Sequence, residues 1–258
     1  MGIVDDKIVL VTGGGSGMGA AGAEIFAREG AAHVYVVDVN TDGGERVAAA
    51  VHKAGAGASF VAVDVTEEGA VAGLIDRIVA EHGRLDCAWN NAGITDAAGP
   101  FTSLAKDAWD RMIAVNLTAV FLCMKHELRQ MTTQGYGAVV NTSSGAGIVA
   151  APYLPHYTAA KHGVLGLTRA MALEVAAKGV TVNAVCPGYT ETDIVASAID
   201  NIVAKTGRTA SEARAELAKA NPQGRLIQPE EVADTVAWLC GSAGVNGQAI
   251  AVCGGETM

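Results

Sequence analysis

Seven short apolar runs rich in β-branched residues recur along the chain, at residues 8–11, 34–37, 60–63, 85–89, 138–140, 180–185 and 249–252. Each is continuous rather than alternating, the pattern of a strand covered on both faces. The segments between them are long enough to be crossover helices. The order therefore predicts a doubly wound α/β fold, one mostly parallel seven-stranded sheet with helices on both faces. Residues 190–226 break the rhythm: Ala-rich helical sequence carries Arg208, Thr209, Ser211 and Glu212 before a break at Asn221-Pro222-Gln223-Gly224, and is expected to form an inserted cap. No internal repeat or Pro/Ser-rich linker divides the chain, so residues 1–258 are expected to form a single domain.

Composition narrows the class. Hydrophobic residues make up 50% and charged residues 17%, which supplies a core and argues against disorder. The net charge of −9, from 18 basic and 27 acidic residues, opposes the phosphate attraction that nucleic-acid binders use, so no nucleic-acid partner is expected. The opening Met1-Gly2-Ile3-Val4-Asp5-Asp6 lacks a basic region and an apolar core, and Asp6 spoils a myristoylation pattern, so export is not expected. The uncharged stretch between Arg129 and Lys161 is broken by Gly135, Gly137, Asn141, Ser143, Ser144, Pro152 and Pro155, which a membrane span would not tolerate. Five scattered cysteines (Cys87, Cys123, Cys186, Cys240, Cys253) form no Cys-x-x-Cys; reduced, mostly buried, cytoplasmic thiols are expected. With no His-Glu-x-x-His, no metal site is expected, and His156 and His162 read as surface or pocket-wall residues.

The first run leads into Thr12-Gly13-Gly14-Gly15-Ser16-Gly17-Met18-Gly19-Ala20, followed by an Ala-rich helix reaching toward Gly30. A strand, a glycine turn and a helix bring backbone N–H groups and the positive helix end close to a pyrophosphate. Gly17, Gly19 and Gly22 satisfy G-x-G-x-x-G literally, but Gly22 falls inside the helix, so the useful register is Gly13, Gly17 and Gly19. Asp38 ends the second run, about 20 residues on, where an acid meets ribose hydroxyls; it favours NAD, since the glycine turn holds no Lys or Arg to neutralise a 2′-phosphate. Asp64 ends the third run, with Val65 after it, and reads as a turn residue or an adenine contact.

Tyr157 and Lys161 follow Pro155 at a four-residue spacing that puts both on one helix face. An ammonium about 4 Å from a phenol favours the phenolate by roughly 4 kcal/mol at a dielectric near 20, enough to bring a pKa of about 10 toward neutrality. Just upstream, the run ending Asn141-Thr142-Ser143-Ser144-Gly145 lets Ser144 face the same crevice, because strand carboxyl ends form the ligand site of such sheets.

These motifs, with Asn90-Asn91-Ala92-Gly93, Asn116 and Pro187-Gly188, stand in the order and spacing of the short-chain dehydrogenase/reductase family, which the sequence resembles over nearly its whole length. The resemblance implies a Rossmann-type domain and hydride transfer between NAD(H), preferred over NADP(H), and a secondary alcohol/ketone pair. It implies Tyr157 as general acid/base, Ser144 as polariser of the substrate carbonyl, Lys161 as the group that lowers the tyrosine pKa and holds the nicotinamide ribose, and Asn116 as support for a water-linked proton relay. Implied cofactor contacts are Gly13, Gly15, Ser16, Gly17, Met18 and Gly19 in the turn, Asp38, Asp64 and Val65 after the second and third runs, and Asn91, Ala92 and Gly93. Tyr157, Lys161, Pro187, Gly188, Thr190 and Thr192 complete the set. Residues 182–193 and 221–238 are similar to those of 3-oxoacyl thioester reductases, making a 3-hydroxyacyl thioester the first substrate considered, with cap residues Arg208, Arg214 and Lys219 available to phosphate. Segments 106–131 and 157–178 resemble the family's self-association faces and imply a homotetramer. Two other classes stay open: a hydrolase with Ser144 as nucleophile, although Gly-x-Ser-x-Gly is absent, and a nucleotide-binding protein without turnover.

Overall fold

The computed structural model describes residues 2–257. Seven strands, β1 (Ile8–Thr12), β2 (His33–Asp38), β3 (Gly57–Ala62), β4 (Cys87–Asn90), β5 (Gly137–Thr142), β6 (Val180–Pro187) and β7 (Ala249–Val252), form one parallel sheet in the order β3-β2-β1-β4-β5-β6-β7. Ten α-helices connect and cover them: α1 (Gly17–Arg28), α2 (Thr41–Lys53), α3 (Glu68–His82), α4 (Lys106–Ile113), α5 (Ala119–Gln134), α6 (Gly145–Ile148), α7 (Pro155–Val175), α8 (Asp193–Thr206), α9 (Ala210–Ala220) and α10 (Pro229–Gly241).

Alternation along the central strands divides the core. Val9, Val11, Val34 and Val36 pack with Phe26 of α1 and Val236 of α10 on one face. Ile8, Leu10, Tyr35 and Val37 pack with Ile75 of α3, Met124 of α5 and Val164 of α7 on the other. This is the doubly wound Rossmann-type architecture that the apolar runs predict. The reversal of strand order between β1 and β4 opens a crevice at the strand carboxyl ends.

Element limits differ from the sequence reading where polar chemistry intervenes. β3 begins at Gly57, before its apolar residues, because this edge strand pairs only with β2 and does not need to be apolar throughout. β4 starts two residues later than read, since the Asp86 carboxylate accepts the Ile8 amide at 2.7 Å and takes a place in the ladder. The 106–131 segment folds as α4 and most of α5, with a π-helical turn at Ala114–Thr118 between them. The cap region folds as α8 and α9 around Val195, Ala218 and Leu226, and a parallel bridge between Thr190 and Ile227 closes its base.

Gly22 shows why the literal glycine pattern misleads. It lies in α1 against the buried Trp89 ring, and a Cβ there would stand 2.1 Å from Cζ3. Trp89 cannot retreat easily, because its Nε1 donates to Thr142 Oγ1 at 2.8 Å. Helix propensity alone would make Gly22→Ala stabilising by about 1 kcal/mol. Overpacking costs about 1–3 kcal/mol and should win, so chemical denaturation should find Gly22→Ala less stable than wild type. A stabilised variant would contradict this packing account.

Candidate active site

The turn after β1 is a cradle in which several positions leave no room for a Cβ. Gly13 has a φ of 62°, and a Cβ on it would lie 2.8 Å from Ala92 Cα. A Cβ on Gly19 would lie 2.1 Å from the Gly13 carbonyl oxygen. Gly17 has a φ of 51° and sits under the Thr192 methyl, 3.2 Å from where its Cβ would be. Ser16 caps α1 in an extended conformation, Met18 is half-buried on the first turn, and no acid occupies that turn, so the positive helix end faces the crevice. These features fit a dinucleotide pyrophosphate.

At the neighbouring strand end, Asp38 accepts the Gly15 amide through Oδ2 and the Asn40 amide through Oδ1, both at 2.9 Å. Arg46, from α2, donates to the Gly15 carbonyl at 3.2 Å. The glycine turn itself holds no cation, but this arginine stands beside it, and a reading restricted to the turn missed it. Asp64 is exposed and accepts the Thr66 amide at 2.9 Å and the Thr66 hydroxyl at 2.7 Å, while Val65 is buried with Val71, Ala119 and Cys123.

The segment after β4 ties the two halves together. Thr12 Oγ1 accepts the Asn91 and Ala92 amides at 3.0 and 3.2 Å, and Asn91 Nδ2 donates to the Gly13 carbonyl at 3.2 Å. A Cβ on Gly93 would lie 2.7 Å from Asn116 Oδ1 and 3.6 Å from Lys161 Nζ. Asn116, fully buried in the π turn, clamps Ile94 by accepting its amide at 3.0 Å and donating to its carbonyl at 2.9 Å. Its side chain is thereby engaged with protein.

Ser144 caps α6 and its hydroxyl accepts the Ala146 amide at 3.1 Å. Lys161, 4% exposed on α7, donates from Nζ to the Thr142 carbonyl at 2.9 Å, while its own carbonyl accepts the Ser143 hydroxyl at 2.9 Å. Nζ lies 5.7 Å from the centroid of the Tyr157 ring. Tyr157 and Lys161 thus share the face of α7 that the spacing predicts. The expected acidification of the phenol needs correction, however. Burial raises the Tyr157 pKa, hydrogen bonding with Ser144 works against that, and Tyr189 and Glu256 push it further up. Burial also lowers the Lys161 ammonium to about 8. The lysine is committed to a carbonyl and lies beside the ring, so in this state desolvation dominates both groups.

Beyond β6, which ends at Pro187, the Thr190 hydroxyl donates to the Gly188 carbonyl at 3.0 Å and the Thr192 hydroxyl donates to the Thr190 carbonyl at 3.3 Å. Glu256, in the segment after β7, places Oε2 2.9 Å from the ideal Cβ positions of both Gly145 and Gly188. No sequence pattern pointed to it. Below the site, Asn90 Nδ2 donates to Glu127 Oε2 at 2.9 Å and to Asn141 Oδ1 at 3.0 Å; burial pushes the Glu127 carboxyl up to about 7. His156 is 2% exposed and 3.4 Å from Asp96, so it is a core residue rather than a surface one, whereas His162 lines an open cleft of about 790 Å³ with Phe101, Tyr153 and Thr158. Among the described residues no helix is long and apolar enough to cross a membrane, and no group of three His, Cys, Asp or Glu side chains could hold a metal ion.

Residues 13–257 match the family model described as enoyl-(acyl carrier protein) reductase. The chain is 44% identical to cis-4-hydroxycyclohexanecarboxylate dehydrogenase of Sinomonas cyclohexanicum, over 98% of this chain and 97% of that one. It is 38% identical to cyclohexanol dehydrogenase of Acinetobacter sp. (strain SE19), over 91% and 88%. Among solved structures, actinorhodin polyketide ketoreductase with NADPH superposes with a TM-score of 0.93 at 36% identity, covering 100% of this chain and 99% of that one. NAD+-bound xylitol dehydrogenase does so with a TM-score of 0.92 at 32% identity, covering 98% and 99%. These likenesses lend nothing to a serine hydrolase. The chain belongs to the short-chain dehydrogenase/reductase family of nicotinamide-linked oxidoreductases and acts on a secondary alcohol/ketone pair.

Proposed function

We propose that the protein is an NAD-dependent dehydrogenase of a carbocyclic secondary alcohol, with Tyr157, Ser144, Lys161 and Asn116 as its working residues. The observation that carries this reading is the convergence of Tyr157, Lys161 and the Ser144 cap at the carboxyl end of β5, beside the glycine cradle after β1. Gly13, Gly15, Ser16, Gly17, Met18 and Gly19 would hold the pyrophosphate, Asp38 the adenosine ribose, Asp64, Val65 and residues 91–93 the adenosine side, and Pro187, Gly188, Thr190 and Thr192 the nicotinamide side. A bound nicotinamide dinucleotide supplies or takes up the hydride. The hydroxyls of Ser144 and Tyr157 donate to the substrate oxygen as charge gathers on it, an interaction stronger in the transition state than in the ground state.

Tyr157 is the proton carrier. Its raised pKa keeps it protonated before substrate binds, the form that ketone reduction needs; in the alcohol-oxidation direction it must first give that proton up before it takes the substrate's. Lys161, buried with a pKa of about 8, holds a proton close to the ring and can hand it on. Asn116, engaged with Ile94, supports the relay by fixing the 93–94 backbone against Lys161. Tyr157→Phe should abolish turnover, a loss of at least about a thousandfold in kcat, while NADH still binds by fluorescence titration. Near-wild-type turnover would remove the assignment.

Preference for NAD rests on Asp38, whose carboxylate would oppose a 2′-phosphate. Arg46 beside Gly15 opposes that preference, but it donates to a backbone carbonyl, while Asp38 stands at the end of β2 where the adenosine ribose would lie. Steady-state kinetics should give a higher kcat/KM with NADH than with NADPH; the reverse order would assign the site to NADP. A ring alcohol is favoured over a 3-hydroxyacyl thioester by the names of the relatives in hand and by the cap cations. Of the three cap cations, Arg214 is paired with Glu191 and Lys219 with Glu216, which leaves Arg208 alone without an acidic partner among the described residues.

Leu173 on α7 is 84% exposed and Phe121 on α5 is 46% exposed, large apolar residues on the helices that resemble self-association faces. They support a homotetramer, and the five buried free thiols suit a reducing cytoplasm. Light scattering should return four times the chain mass; a monomer mass would contradict the assembly.

A further inference from the structure

Glu256 sits where no role has been given to it. Its Oε2 enters a slot left by two missing side chains, 2.9 Å from the ideal Cβ positions of Gly145 and Gly188. The first follows Ser144 and the second follows the last residue of β6, so the slot lies at the floor of the crevice in which Tyr157 and Ser144 act. The backbone that carries it is pinned: Gln223 N donates to the Gly254 carbonyl at 3.2 Å, Glu256 N to the Cys253 carbonyl at 3.2 Å, and Gly188 N to the Val252 carbonyl at 3.1 Å. A Cβ on Gly145 or Gly188 would press on the carboxylate and force it to shift.

That carboxylate is half-buried and forms no ion pair or side-chain hydrogen bond with the protein among the described residues. Burial raises its pKa, and its charge in turn opposes ionisation of both Tyr157 and Tyr189, which places it within electrostatic reach of the reacting oxygen. A carboxylate without a cation in such a pocket accepts hydrogen bonds from neutral donors or pairs with a cationic group, and a second anion is strongly unfavourable; a ring alcohol carries no cation, so the hydrogen bond is the favourable encounter open to it.

We infer that Glu256 is a specificity-determining residue: it accepts a hydrogen bond from a second hydroxyl on a neutral ring substrate and repels a ring that carries a carboxylate. The inference rests on the dehydrogenase reading above and narrows its substrate class to neutral ring diols and hydroxyketones.

The test uses the full-length enzyme with NAD+ and three alcohols: cyclohexanol, cis-1,4-cyclohexanediol and cis-4-hydroxycyclohexanecarboxylate. Wild type should rank them diol, then cyclohexanol, then carboxylate by kcat/KM, with at least about a tenfold gap above the carboxylate. Glu256→Gln removes the charge at constant shape and should raise the carboxylate-to-cyclohexanol ratio at least about tenfold; Glu256→Ala should erase the preference for the diol. Wild type using the carboxylate as well as cyclohexanol, or a ratio that Glu256→Gln leaves unchanged, overturns the inference while leaving the dehydrogenase reading intact. The wild-type ranking needs no variant, so misfolding of either one cannot shield the claim. Absence of turnover with every ring alcohol and ketone would remove the parent reading and this inference with it.

Discussion

All seven strands run in one direction, so their carboxyl ends lie along one edge of the sheet and the loops that follow Thr12, Asn90, Thr142 and Pro187 must meet there. The meeting is enforced by hydrogen bonds. Thr12 takes two amides from the segment after β4, Asn91 returns one to Gly13, and Lys161 reaches from α7 to the Thr142 carbonyl. A glycine cradle and a proton-bearing pair on a helix therefore become one site because of strand direction and register. Either motif without the sheet would be an ordinary turn or an ordinary helix face.

Within that site, burial rather than pairwise attraction sets the resting protonation. A lysine at helical spacing from a tyrosine suggests a phenol made acidic by a nearby cation. The structure keeps the cation beside the ring, engaged with a carbonyl, and removes water from both groups. Desolvation then drives the phenol up from its ordinary value and the ammonium down to about 8, so the phenol, not the lysine, becomes the group that holds its proton more tightly. That order serves reprotonation, because a proton passed from the lysine to a phenolate runs downhill.

Much of this was legible from residue order. Continuous apolar runs marked the parallel strands, and the helix interior position of Gly22 separated a packing glycine from the cradle glycines, as its contact with Trp89 bears out. What stayed hidden came from side chains that reach across elements. Arg46 lies on α2, outside the turn whose charge it alters; Asp86 shortens β4 by accepting an amide from β1; His156, beside the tyrosine in sequence, turns into the core toward Asp96. Glu256 is the clearest case, since only the folded chain brings the segment after β7 against two glycines more than 60 residues upstream. Local pattern encodes elements well, but contacts between loops require the assembled sheet.

The account stands or falls on where the hydrogen of the carbinol carbon goes. Cyclohexanol deuterated at that carbon should be incubated with enzyme and NAD+, and the reduced dinucleotide and the water analysed for label. Direct transfer predicts one deuterium in the reduced dinucleotide for each ketone formed and none in the water. Deuterium released to solvent, or ketone formed without labelled dinucleotide, would contradict hydride transfer at this site.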